Sequence, residues 1–236
     1  MKTKFVITIP VRNANIRAAS IQIGHLDPDV VLPTSYIERA LRSAVQDYDD
    51  YRIIVRDDAS TDGTWEIIQE VAPTLGVPID IAQNTERLAP CGNHYQMAQL
   101  VEDDEVIVNL DGDDQLSGRN VLSILNEVYA DPAVWMTYGS YGYDEVSRDP
   151  RPGIDYRGIC SPMVECSRKS DFRCSHLRTY KRWLFDRINV NDLKYRGEFY
   201  PVIGDLAIMF PMIEMSGHAH SRYIHDILYL YNTVNP

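Results

Sequence analysis

The chain has 236 residues, 44% hydrophobic and 24% charged, enough for a sizeable core in one large domain and nothing that forces disorder. Its formal charge of -11 excludes the basic face that a nucleic-acid binder needs, but not a phosphate-bearing ligand, because a divalent cation inverts local charge. No apolar run approaches the roughly 18 residues that span a bilayer, and the start lacks the apolar core of a signal peptide, so a cytoplasmic protein without a transmembrane segment is expected.

In chain order, Phe5–Ile9 is an apolar run ending at Pro10 and reads as a buried strand. Residues 14–35 form a connection longer than a strand–helix loop usually is. Tyr36–Gln46 has helical spacing, and Arg52–Arg56 is a second buried strand that runs into Asp57-Asp58. Thr61-Asp62-Gly63-Thr64 opens a helix, with Asp or Thr as its cap, that ends near Pro73. Ile79–Ala82 is a strand, Cys91–Val101 a helix, and Glu105–Leu110 a strand that delivers Asp111-Gly112-Asp113-Asp114. Val121–Tyr129 is a helix and Trp135–Tyr143 a strand. Strands separated by helices of this length predict right-handed crossovers and a largely parallel sheet. Further on, residues 145–175 read as a long excursion, Tyr180–Ile188 and Leu206–Met215 as helices, and Tyr223–Tyr231 as short strands. The sequence stops without a polar tail, as a domain cut from a longer protein would.

The cysteines, Cys91, Cys160, Cys166 and Cys174, contain no Cys-x-x-Cys pair and make no disulfide framework. Three of them cluster with His176, but the spacing matches no standard zinc site.

Ligands of open parallel sheets bind outside the carboxyl ends of the strands. Pro10-Val11-Arg12-Asn13, Asp57-Asp58 and Asp111–Asp114 all fall there. Three carboxylates within four residues repel one another, and Mg²⁺ or Mn²⁺ relieves this with one or two carboxylates plus substrate phosphate oxygens. The alternative is an acidic turn in which Asp114 or Ser117 caps the next helix. Asp57-Asp58 is either a cap at a helix N-terminus or an acceptor for a nucleobase or ribose. No Gly-x-Gly-x-x-Gly, P-loop or Gly-x-Ser-x-Gly motif is present, so a metal would have to handle phosphate.

These segments, in this order and spacing, resemble the inverting glycosyltransferases of family 2. The resemblance runs through Ile7–Asn13, with Arg12 where a Tyr is usual, Leu41–Tyr48, Ile53–Thr64, Asn84–Asn93 and Val108–Asp114. It implies a GT-A fold: a Rossmann-like α/β/α sandwich forming one domain over 1–236. Residues 1–115 would bind the nucleotide sugar and 116–236 the acceptor. Pro10, Arg12, Asp58 and Arg87 fall where the family binds the nucleotide. Asp111 and Asp113 match its Asp-x-Asp motif at ribose, metal and diphosphate, and Asp114 competes as metal ligand. Gly204-Asp205 resembles the segment with the catalytic base, which assigns that role to Asp205. His176 is similar to a residue some members place over the diphosphate, or is a helix N-terminal His; Arg178, Lys181 or Arg182 would hold diphosphate or form a solvated basic helix face. The late metal-binding His of many relatives has no counterpart in Tyr231–Asn235, and the 14–35 loop is assigned to the acceptor.

The implied reaction is metal-dependent transfer from a nucleoside-diphosphate sugar, with uridine the commonest family choice, to a glycan or a lipid-linked or protein-linked acceptor. A sugar-nucleotide nucleotidyltransferase and a non-catalytic carbohydrate-binding domain of the same fold are the alternatives.

Overall fold

The computed structural model describes residues 2–15, 34–143 and 174–232. The chain forms β1 (Phe5–Val11), α1 (Tyr36–Ser43), β2 (Tyr51–Asp57), α2 (Thr64–Val71), β3 (Ile79–Gln83), α3 (Ala89–Ala98), β4 (Val106–Asn109) and β5 (Gln115–Leu116). It continues through α4 (Val121–Tyr129), β6 (Met136–Gly139), β7 (Gly142–Tyr143), β8 (Ser175–Lys181), α5 (Arg182–Phe185) and the hairpin β9 (Lys194–Tyr195) and β10 (Glu198–Phe199). It ends with α6 (Gly204–His220), β11 (Ser221–Ile224) and β12 (Tyr229–Tyr231).

The central sheet has seven strands in the order β11-β6-β8-β4-β1-β2-β3, and only β8 runs antiparallel to its neighbours. Strands apolar on both faces are what a sheet covered on both sides requires. Phe5, Ile7 and Ile9 of β1, with Ile53 and Val55 of β2, face a core shared with α1, α2 and α4. Val6, Ile54 and Ile107 point the other way, into a core with α3, α5 and α6. The α/β/α sandwich expected from the sequence is therefore the observed architecture.

The chain winds outward from β1 to β2 and β3, then returns to place β4 on the other side of β1. The reversal opens a crevice at the carboxyl ends of β1 and β4, the position where ligands of such sheets bind. A smaller sheet, β5-β12-β7, lies beside the acidic turn.

Two elements differ from the sequence reading: the strand expected over Trp135–Tyr143 is two, β6 and β7, in different sheets. The helix expected over Tyr180–Ile188 is limited to Arg182–Phe185, and the residues before it form β8 between β4 and β6. His176 is thus a strand residue, not a helix N-terminal one. Tertiary packing decides this: Thr179 is buried, with its hydroxyl 2.8 Å from that of Tyr129 and 2.6 Å from that of Thr137, while Tyr180 enters the opposite core. Short local patterns yield to such sheet contacts.

Candidate active site

A cavity of about 540 Å³ opens at the carboxyl edge of β1, β2 and β4. Pro10, Arg12, Asp58, Arg87, Asp111, Asp113, His176, Arg178 and Asp205 all line it. The structure thus brings together nine side chains that the sequence scatters over nearly 200 residues.

The acidic turn is pressed against the end of β1. The Gly112 N–H donates to the Pro10 carbonyl at 3.1 Å, and a Cβ on Gly112 would collide with the Val11 side chain. Only glycine lets the turn lie this close, which sets Asp111 and Asp113 at the cavity wall.

The carboxylates of the turn diverge. Asp114 is 2% exposed and does not line the cavity; its oxygens accept from the Tyr229 hydroxyl and the Asn232 N–H, both at 2.6 Å. Burial, followed by the charges of Asp113 and Asp111, pushes its carboxyl up to about 9. Neither Asp114 nor Ser117 caps α4: Ser117 donates to the Ile227 carbonyl, and Asn120 precedes the helix without a side-chain cap bond. The Asp111 side chain is 40% exposed and lies 3.6 Å from His176 Nε2. Desolvation acts to raise its carboxyl, but the facing His176, with His94 and the Arg178 guanidinium nearby, holds it below the usual carboxylate range.

Among the described residues, no three His, Cys, Asp or Glu side chains group to hold a metal unaided. A pair of carboxylates open to a cavity fits a hard cation that completes its shell with phosphate oxygens and water.

Asp58 is a structural acceptor as well as a wall residue. Its carboxylate receives Leu88 N–H at 2.7 Å, Ala89 N–H at 3.0 Å and Asn84 Nδ2 at 3.2 Å. It therefore fixes the entry to α3, not to the α2 helix that follows it in sequence. The start of α2 is held instead by Asp62, which accepts the Thr64 N–H at 3.0 Å. Arg12 donates to the Asp58 carbonyl at 3.1 Å.

The opposite wall comes from later elements. Because β8 is antiparallel, its beginning lies at the edge where β4 ends, and this brings His176 and Arg178 to the cavity. Lys181 and Arg182, at its far end, do not line it: Lys181 donates to the Pro132 carbonyl, and the buried Arg182 is held by the Ala98 carbonyl and Asp186. His176 stacks on Tyr229 with ring centroids 4.5 Å apart, and burial lowers its tendency to protonate. Arg178 Nη2 pairs with Asp205 Oδ2 at 3.2 Å. Gly204, whose added Cβ would stand 2.8 Å from Cys91 Cβ, packs the start of α6 onto α3 and so carries Asp205 to the cavity.

The sequence reading missed His94, Asn93 and Tyr231, which also line the cavity, and Tyr229 beneath the acidic turn. Asn93 ends the Asn84–Asn93 stretch of the resemblance and His94 follows it on α3; their polar side chains next to that stretch were the available signal. Most of the 14–35 loop, Cys160, Cys166 and residues 233–236 lie outside the described residues; Cys174 is buried. Among the described residues, no helix is long and apolar enough to cross a membrane.

The fold is similar to that of a mannosyltransferase, PcManGT, from Pyrobaculum calidifontis in complex with GDP-Man and Mn²⁺. The TM-score is 0.64 at 19% identity, over 98% of this chain and 57% of that one. It is also similar to S. aureus TarS in complex with UDP-GlcNAc, with a TM-score of 0.66 at 17% identity, over 97% of this chain and 58% of that one. The chain thus spans less than two thirds of these solved chains. No curated protein sequence matches it. The family profile for glycosyl transferase family 2 matches residues 34–188, more than half of the sequence, and takes in the acidic turn, His176 and Arg178. The chain belongs to glycosyl transferase family 2.

Proposed function

We propose that this chain transfers a glycosyl group from a nucleoside-diphosphate sugar to a hydroxyl of a glycan, lipid-linked or protein-linked acceptor, with inversion at the anomeric carbon. The observation that carries the reading is the shared cavity: Asp111 and Asp113 line it together with Asp205. Residues 1–115 bind the nucleotide, with Pro10, Arg12, Asp58 and Arg87 around base and ribose. Residues 116–236 contribute His176, Arg178 and Asp205 and receive the acceptor. Uridine is the first candidate base. The solved relatives with GDP-Man and with UDP-GlcNAc make GDP the second.

Asp111 and Asp113 would hold Mn²⁺ or Mg²⁺, which would supply Lewis-acid neutralisation of the charge that builds on the diphosphate. Asp114 braces the turn from behind through Tyr229 and Asn232. Arg178 contributes charge-assisted hydrogen bonds to phosphate oxygens. In the free protein Arg178 pairs with Asp205, so a bound diphosphate competes for the guanidinium and frees the carboxylate. Asp205 then takes the proton of the acceptor hydroxyl as its oxygen attacks the anomeric carbon. The bond to the phosphate oxygen breaks on the opposite face, and the nucleoside diphosphate leaves with the electron pair.

The test is donor turnover. Purified protein is incubated with UDP- and GDP-sugars, with and without Mn²⁺, and release of nucleoside diphosphate is followed. Cation-dependent release is expected. Binding of a sugar nucleotide without any release, with or without acceptor glycans, would favour the non-catalytic alternative. Pyrophosphate release from a nucleoside triphosphate and a sugar phosphate would favour the nucleotidyltransferase.

A further inference from the structure

His94 is a titratable wall residue that none of the roles above uses. It sits on α3 and is 9% exposed, and its Nδ1 has no hydrogen-bond partner among the described residues. Buried polar atoms are nearly always partnered, and an orphan of this kind calls for a ligand group or a water. The imidazole lines the main cavity. It also lines a smaller void of about 10 Å³ shared with Asn109, Asp111, His176, Arg178 and Asp205. That void has the volume of a single oxygen-sized guest, and polar groups able to bind one face it beside Ile208 and Met209.

The position is informative. On the proposed mechanism, Asp111 belongs to the diphosphate end of the site and Asp205 to the acceptor end. The transferred sugar must lie between them, because its anomeric carbon is bonded to the first side and attacked from the second. His94 is in the same small void as both carboxylates. An imidazole nitrogen donates or accepts according to tautomer, and a sugar hydroxyl answers either way.

We propose that His94 is a specificity-determining residue whose imidazole binds one hydroxyl of the donor sugar. This rests on the donor reading given above. A pocket built to hydrogen-bond a hydroxyl discriminates against sugars that lack it or present it in the other configuration, since the buried nitrogen is then left unpaired.

The test separates the sugar from the nucleotide. Wild type, His94→Gln and His94→Leu are titrated by calorimetry in Mn²⁺ with UDP, GDP and dTDP and with the common sugars of each. The expected result is nucleoside diphosphate affinity unchanged within about twofold in all three proteins. For one sugar, the affinity relative to its own nucleoside diphosphate should fall about tenfold in His94→Leu, which is about 1.4 kcal/mol. His94→Gln, which keeps a donor and an acceptor, should recover part of it. Thermal melting run alongside distinguishes a folding defect, which would weaken nucleotide and sugar nucleotide together. An unchanged ratio for every sugar nucleotide that binds would overturn the role of His94 and leave the donor reading standing. Failure of wild type to bind any nucleoside diphosphate or its sugar would overturn the donor reading and this inference with it.

Discussion

The two walls of the cavity are built differently. One is the ends of β1, β2 and β4, where Pro10 lies at the end of its strand and Asp58, Asp111 and Asp113 lie just beyond theirs. The other is assembled from the start of β8, the first turn of α6 and the tail at β12, elements that share no local pattern. The first wall is a property of sheet topology. The second depends on an antiparallel strand inserted between β4 and β6, on a glycine that docks α6 onto α3, and on a tyrosine that ties the tail to the acidic turn.

If the walls divide donor binding from proton removal, substitutions should separate the two functions. The largest effect expected is on the second wall: Asp205→Asn should lower transfer by about 10²–10⁴-fold. Calorimetric affinity for nucleoside diphosphate should stay within a few-fold, and turnover retained in this variant would remove Asp205 from the base role. Next come the two docking glycines. Gly112→Ala drives a Cβ into Val11, and Gly204→Ala drives one against the backbone and side chain of Cys91. Each should cost about 1–3 kcal/mol by overpacking, visible as a lowered melting temperature. Gly112→Ala should in addition weaken cation-dependent nucleotide binding, whereas Gly204→Ala should spare it and reduce turnover. Identical functional defects would erase the division between the walls. The smallest effect expected is that of Tyr229→Phe, which removes the hydroxyl donated to Asp114 and should cost about 1 kcal/mol in denaturant melts. No loss there would mean that the tail does not brace the turn.

The same contrast explains what could be read from the sequence. Phe5–Ile9, Arg52–Arg56 and Glu105–Leu110 announce buried strands by continuous apolar character, and in a parallel sheet the residues after them must meet at one edge. The first wall was therefore legible before the fold was known. His176 was visible only as a residue type in a suggestive segment. Its strand state is decided by pairing with β4 and β6, residues about 40 to 70 positions away, which no local period encodes. Asp114 shows the limit within a single turn. Three neighbouring carboxylates look alike in sequence, yet Tyr229 and Asn232, more than 110 residues later, withdraw one of them from the cavity. His94 escaped for a related reason: on a helix it is one polar residue among several, until the fold buries it and leaves its Nδ1 without a partner among the described residues.

The most direct measurement is calorimetric titration of UDP and GDP into wild type and Asp113→Ala, each with and without Mn²⁺. Asp113 lines the cavity and is proposed to hold the cation with Asp111. Binding by wild type should require the cation. Asp113→Ala should lose at least the roughly tenfold that even an outer-shell partner of a metal is worth. Equal affinity in both proteins, indifferent to Mn²⁺, would contradict a diphosphate site built on the acidic turn.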